Sequence, residues 1–178
     1  IIWVFAKRLL TLKDLLNNLN TVYPNIKEPR LPYRRFKHET VLSLIDELRN
    51  HAMFTVKEIG KSIEGRSIQT VTVGSGKTRI LVWTQMHGNE PTATQAIFDI
   101  FNFLESNDFK KEKSLILSNL RLHFLPMLNP DGAERYQRRN LLGIDINRDA
   151  LRLQSPEGRT LKRVRDSLEA DFGFNLHD

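Results

Sequence analysis

Apolar residues recur three and four positions apart in four stretches of the chain, which predicts four amphipathic helices. The stripes consist of Leu12, Leu15, Leu16 and Leu19; Val41, Leu44, Ile45 and Leu48; Ile97, Ile100, Phe101 and Leu104; and Leu161, Val164 and Leu168. Pro91 and the pair Ser155-Pro156 stand where the last two helices would begin, and proline and serine suit those positions. Prolines at positions 24, 29 and 32 predict an extended connector over residues 21–36.

Short apolar or alternating runs between these helices predict strands at residues 54–59, 68–73, 79–85, 120–128 and 172–176. The first two strands are joined through residues 60–67, whereas the later strands alternate with helices. This order predicts an α/β fold with a mixed β-sheet flanked by helices.

The composition narrows the class of protein. A length of 178 residues, with 40% hydrophobic and 27% charged residues, is typical of one globular domain or part of a larger one. The chain has no cysteine, which excludes disulfide scaffolds, cysteine nucleophiles and thiolate metal sites. A G-x-S-x-G nucleophile motif is also absent from the sequence.

The net charge and the N-terminal residues give little information about binding partners or cellular compartment. The net charge is +6, but the basic residues are scattered and belong to no recognisable nucleic-acid module, so no nucleic-acid partner is expected. No apolar run is long enough for a transmembrane helix. Residues 1–5 are apolar and the charges of Lys7 and Arg8 follow them, which is not a complete signal peptide. Cytoplasmic and exported locations both remain open.

The most informative polar residues follow predicted strands. His87 and Glu90 come directly after the strand at 79–85, at the start of a helix, and ligand sites in α/β sheets lie at such strand ends. A histidine and a glutamate three residues apart can converge on one zinc ion, and a catalytic zinc site needs a third protein ligand. His177 is the natural candidate, because it follows the strand at 172–176 and adjacent strands would bring the two ends together.

Five motifs, which include the candidate ligands just described, resemble those of a known family. They are His87-Gly88-Asn89-Glu90, Asn129-Pro130-Asp131-Gly132, Arg138-x-Asn140, Gly143-Ile144-Asp145-Ile146-Asn147-Arg148 and Leu176-His177-Asp178. In this order and spacing, the sequence resembles the M14 family of zinc carboxypeptidases, the carboxypeptidase A-like metallopeptidases. The segment Ile59–Ile68 also resembles the family's glycine-containing entry to its sheet. The resemblance covers residues 38–178, which predicts the N-terminal part of a catalytic domain there and leaves residues 1–37 as an unassigned helical extension and connector.

The resemblance implies a role for each matching residue. His87, Glu90 and His177 would bind one zinc ion. Arg138 would polarise the scissile carbonyl and stabilise the developing oxyanion. Asn147 and Arg148 would bind the terminal carboxylate of a peptide or protein, because an arginine fork holds a carboxylate bidentately. The implied activity is hydrolysis of the C-terminal peptide bond by zinc-activated water.

The resemblance also implies that parts of the machinery are missing. The family's general-base glutamate and a substrate-binding tyrosine lie C-terminal to the third zinc ligand, but this chain ends one residue after His177. We therefore expect an incomplete domain with little activity alone. Two alternatives stay open: an aspartoacylase- or desuccinylase-like zinc amidohydrolase of N-acyl amino acids, and a non-catalytic remnant.

Overall fold

The computed structural model describes residues 2–32 and 34–178, and for residues 2–12 it describes only the backbone. The helices are α1 (Ile2–Ile26), α2 (His38–Leu48), α3 (Thr92–Glu105), α4 (Lys110–Asn119), α5 (Pro130–Arg135) and α6 (Pro156–Leu168), with a short 3₁₀ helix at Ile146–Arg148. The strands are β1 (Phe54–Lys61), β2 (Ser67–Val73), β3 (Thr78–Thr84), β4 (Leu120–Leu125) and β5 (Phe172–Leu176). None of the described helices is both long enough and apolar enough to cross a lipid bilayer.

The five strands form one mixed sheet in the order β1-β2-β4-β3-β5. The neighbours β1/β2 and β2/β4 are antiparallel, whereas β3 is parallel to both β4 and β5. The predicted α/β class with a mixed sheet is therefore confirmed. The parallel pairing places the C-terminal ends of β3, β4 and β5 at the same edge of the sheet.

Helices cover both faces of the sheet, and each face has its own core. One core joins the stripes of α2 and α3 to Phe54, Val71 and Phe124. Phe101 lies at its centre, with its ring centroid 5.4 Å from that of Phe54 and 5.2 Å from that of Phe124. The other core packs α6 on the opposite face and contains Ile68, Leu81, Leu125 and Val164.

Two predicted boundaries are wrong. The expected connector starting at residue 21 is helical as far as Ile26, so α1 contains Pro24. That proline lies in the last turn of the helix and is exposed, where a missing hydrogen bond is easily replaced by water. The strand expected over 120–128 ends at Leu125, because Pro126 has no N–H for the ladder.

The predicted helix faces agree with the structure except at their edges. Ile100 was expected in the buried face of α3 but is 40% exposed, and Leu16 of α1 is 52% exposed. The side chain of Leu12, also part of the expected α1 stripe, lies outside the described residues. No hydrophobic pattern predicted α4, because its apolar residues are consecutive and largely exposed rather than spaced for one face.

Candidate metal centre

The candidate ligands lie at the edge where the parallel strands end. His87 and Glu90 follow β3, His177 follows β5, and these two strands are direct neighbours, with Thr84 paired to Leu176. Each of the three residues offers a ligand atom, and these atoms lie within 4.8 Å of one another. The structure thus brings together the three residues that the sequence singled out.

Glu90 lies between the two histidines. Its Oε1 is 3.0 Å from His87 Nδ1, and its Oε2 is 2.7 Å from His177 Nδ1. The imidazole rings are neighbours, with centroids 4.9 Å apart. The side chain of His87 is 2% exposed, that of Glu90 16% and that of His177 29%, so the cluster opens to solvent on the His177 side.

The chemistry of this donor set fits zinc. Two imidazole nitrogens and one carboxylate oxygen are the protein ligands of one common class of catalytic zinc site, which keeps its fourth position for water or substrate. Both histidines direct Nδ1 toward Glu90, which leaves the Nε2 atoms on the outer side of the cluster. The assignment of these residues as zinc ligands stays a prediction.

Asp145 is a member of the site that sequence reasoning missed. Its Oδ1 is 3.0 Å from His87 Nε2, which is the nitrogen that faces away from Glu90. Histidine ligands commonly donate their other N–H to a carboxylate, which sets the tautomer and the ring orientation. Asp145 also caps the 3₁₀ helix by accepting from the N–H of Asn147. The signal available in the sequence was its position two residues before Asn147.

Arg138 lies between the two carboxylates. Its Nη1 is 3.2 Å from Glu90 Oε1, and its Nε is 3.2 Å from Asp145 Oδ2. The side chain is 46% exposed, so the guanidinium also faces solvent. Arg138 therefore places a positive charge directly beside the candidate ligands.

Burial and hydrogen bonding shift the pKa values of the two carboxylates of the site in opposite directions. Burial raises the pKa of Glu90, but the hydrogen bonds with His177 and His87 outweigh it, so the net pKa is lowered. Burial likewise raises the pKa of Asp145, whereas His87 and Arg138 lower it, and the result is again a lowered pKa. Both groups are therefore held as carboxylates, the form that binds a cation.

The loop that carries His87 is held by the segment after β4. Asn129 donates from Nδ2 to the carbonyl oxygen of Met86 at 3.2 Å, and its Oδ1 caps α5 by accepting from Gly132. The motif Asn129-Pro130 is thus an N-cap followed by a first-turn proline. A Cβ on Gly88 would lie 2.0 Å from the Gly132 backbone, so only glycine permits this close approach of the two segments.

The proposed carboxylate-binding pair lies just beyond Asp145. Asn147 is half-buried and lines a largely apolar cavity together with Met86 and Asn175. Arg148 is exposed, and its guanidinium forms no hydrogen bond with the side chains of residues 13–32 and 34–178 or with the described backbone. The described residues Asp145 and Asp149 form no ion pair with Arg148, although both lie within three residues of it in the sequence.

Four other ionisable side chains take no part in the candidate metal centre. Glu64 and Arg66 form an ion pair across the turn at Gly65, where φ is +80°. His51 is an exposed partner of Glu105. His123 is buried in β4, where burial lowers its pKa.

Comparison with known proteins identifies the family of this chain. A family model described as zinc carboxypeptidase, peptidase M14, matches residues 41–166. The chain belongs to the zinc carboxypeptidase family, which confirms the resemblance seen in its motifs.

Relatives agree with this family, and a solved structure has a similar fold. The chain is 30% identical to carboxypeptidase SOL1 of Arabidopsis thaliana over 137 residues, which are 67% of this chain and 28% of that protein. It is 27% identical to carboxypeptidase 2 of Trichophyton rubrum over 141 residues, which cover 73% of this chain and 26% of the relative. Its fold is similar to that of a metallo-carboxypeptidase from Burkholderia cenocepacia, with a TM-score of 0.74, 20% identity and coverage of 80% of this chain and 41% of that one. The chain thus spans less than half the length of each of these proteins.

Proposed function

We propose that this chain carries the metal-binding part of a zinc-dependent metallocarboxypeptidase, which hydrolyses the C-terminal peptide bond of peptides or proteins. The observation that carries the proposal is the convergence of His87, Glu90 and His177 at the sheet edge of a zinc carboxypeptidase family member. One zinc ion is the proposed cofactor. Zinc held by such a set supplies a Lewis acid for a carbonyl oxygen and activates water.

The chain's own residues supply the surrounding charge and orientation. Asp145 holds the His87 ring from its outer nitrogen. Arg138 lies beside Glu90 with a half-exposed guanidinium, from which it can donate to a substrate carbonyl oxygen as negative charge develops there. In this role Arg138 stabilises the oxyanion.

Asn147 and Arg148 are proposed to bind the substrate's terminal carboxylate. They belong to the 3₁₀ helix that Asp145 caps, so their position is tied to that of His87. The exposed guanidinium of Arg148 offers a planar fork of donors, which matches a carboxylate better than a point charge does. A free C-terminus would thereby be placed in register with the ligand cluster.

Zinc stoichiometry tests the ligand assignment. We expect the purified chain to retain one zinc ion after dialysis and His177→Ala to lose it. His51→Ala is the matched control, because His51 is an exposed histidine with a single carboxylate partner away from the cluster. A folded wild-type chain without zinc, or a His177→Ala variant that keeps it, contradicts the assignment.

Ligand binding to the zinc-loaded chain tests the substrate class. We expect a peptide with a free C-terminal carboxylate to bind more tightly than its amide, and Arg148→Ala to remove about 10- to 100-fold of that affinity, as a charge-assisted pair predicts. Arg152→Ala, another exposed arginine, is the control. Equal binding of acid and amide contradicts the proposal. Tighter binding of an N-acyl amino acid favours the amidohydrolase alternative instead.

A further inference from the structure

The backbone is strained two residues before the first candidate ligand. Gln85 has φ of +48°, in the left-handed region that favours glycine, and its side chain is among the most buried in the chain. A residue other than glycine persists in such a conformation only where its surroundings hold it, and such positions cluster at functional sites. The contacts of Gln85 show what holds it.

The Gln85 side chain joins the ligand-bearing turn to α3. Its Nε2 donates to the carbonyl oxygen of Gly88 at 3.0 Å, and its Oε1 accepts from Thr94 Oγ1 at 2.9 Å. The orientation of the amide is determined, because a carbonyl oxygen can only accept and must face the NH₂ group. Gly88 lies inside the turn from His87 to Glu90, which the N–H of Glu90 closes by donating to the carbonyl of His87 at 3.1 Å.

The hydroxyl groups beneath Gln85 are fully used. Thr84 and Thr94 each have one proton, and Thr94 Oγ1 lies within hydrogen-bond distance of Gln85 Oε1, of the Pro126 carbonyl and of Thr84 Oγ1. Thr84 Oγ1 is 2.6 Å from the Pro126 oxygen, so both carbonyl groups receive a proton when Thr84 donates to Pro126 and Thr94 donates to Gln85. All three polar side chains are buried, and a fully satisfied buried network of this kind is rigid.

The backbone of Gln85 is fixed as well. Its carbonyl accepts from the N–H of Asn129 at 3.1 Å, and Asn129 also donates from its side chain to the next carbonyl, that of Met86. The strained residue is thus tied through its main chain to Asn129, which precedes α5, and through its side chain to α3.

We propose that Gln85 is a positioning residue of the metal centre, which holds the turn so that His87 and Glu90 face each other before any metal binds. The proposal rests on the proposed function of this cluster as a zinc site. A glutamine that only filled the core would affect stability without affecting metal affinity.

Gln85→Gly separates these two roles. Glycine adopts φ of +48° without strain, so the variant gains backbone stability while it loses both side-chain hydrogen bonds. We expect the thermal unfolding midpoint of the zinc-free variant to fall by less than about 5 °C, because these effects oppose each other. We expect zinc affinity, measured by competition with a chromophoric chelator, to fall at least about tenfold, as for the loss of other outer contacts of metal ligands.

Glu169→Gly is the matched control. Glu169 also has a positive φ, +45°, and it precedes β5 at the end opposite His177. We expect its zinc affinity to equal that of the wild type. Gln85→Asn gives a second measurement if the glycine variant does not fold, because asparagine tolerates the left-handed region but is one methylene too short to reach Gly88.

The outcomes separate this proposal from the proposed function. Wild-type affinity in Gln85→Gly, or in Gln85→Asn, overturns the positioning role while the zinc site stands. If the folded wild-type chain binds no zinc, the proposal of a zinc site is refuted. The hydrogen-exchange rate of the Glu90 backbone amide in the metal-free chain then tests the positioning role by itself. Faster exchange in the variant then supports a held turn, and unchanged exchange overturns it.

Discussion

Replacing Asp131 by asparagine tests whether its buried carboxylate joins the turn between β1 and β2 to α5, beside the candidate site. Asp131 is completely buried and accepts three hydrogen bonds. Ser62 Oγ lies 2.7 Å and Arg66 Nη1 2.6 Å from its Oδ1, and the N–H of Glu64 lies 3.1 Å from its Oδ2. The carboxylate thereby ties the Gly65 turn between β1 and β2 to α5.

The size of the effect follows from the number of acceptors. Asparagine offers one oxygen in place of two, so the amide NH₂ of Asp131→Asn faces the N–H of Glu64, or the donors of Ser62 and Arg66. A buried donor without a partner costs about 1–3 kcal/mol. Loss of the charge pair adds about 1 kcal/mol, a small value because the Arg66 side chain is 28% exposed and keeps Glu64 as a partner. We expect a loss of about 2–4 kcal/mol in the free energy of unfolding.

Urea unfolding at neutral pH measures this difference by linear extrapolation. The control is Asp166→Asn, an exposed aspartate paired with Lys162 and Arg165, for which we expect no change beyond the error of the extrapolation. An Asp131→Asn chain within about 0.5 kcal/mol of wild type would refute the acceptor count. A changed slope with denaturant would instead indicate an altered unfolded or native state.

Three further changes have defined outcomes. Asp145→Ala removes the acceptor behind His87 and is expected to lower zinc affinity about 10- to 100-fold in chelator competition. Lys113→Met removes a buried ammonium that donates to carbonyls at the end of α3, and urea unfolding is expected to show a loss of about 1–3 kcal/mol. Burial raises the pKa of Glu157 and the hydrogen bond from Asn140 lowers it only partly, so the contribution of Glu157 to stability falls as pH rises above about 4.3. Glu157→Gln is therefore expected to be more stable than wild type at pH 7.5, with an advantage that shrinks toward pH 4.5.

Each of these changes has a control of the same chemistry. Asp171→Ala removes an exposed aspartate at the start of β5 and should leave zinc affinity unchanged. Lys110→Met removes an exposed lysine of α4 and should change stability by no more than about 0.5 kcal/mol. Glu169→Gln alters a glutamate whose side chain is 79% exposed and should show no advantage that depends on pH. A control that behaves like its test variant contradicts the reasoning behind that variant.

The sequence was informative wherever a pattern is local. The stripes of α2 and α6 and the short apolar run of β3 predicted the class of each element, and the class of the fold followed from their order. Pro24 led to a wrong boundary for α1, because the effect of a proline depends on whether a helix is ending or continuing at that point. Helix α4 has no periodic apolar stripe that could have predicted it, since its one buried side chain is that of Lys113.

The candidate ligands were accessible from the sequence because each follows a strand end. His87 and Glu90 are three residues apart, and His177 needed only the assumption that two parallel strands are neighbours. Asp145 was not accessible in this way. It lies 58 residues from His87, and its contact depends on how the loop after α5 folds back over the strand ends.

By itself, the sequence determined the family, the kind of elements and the set of residues able to hold a metal, because periodicity and motifs are properties of nearby residues. The tertiary structure alone decided strand order, the left-handed backbone of Gln85, the buried position of Asp131 and the carboxylate behind His87. Each of these depends on contacts between segments far apart in the chain. Their energies arise only when packing removes water and leaves every buried donor and acceptor to find a partner within the protein.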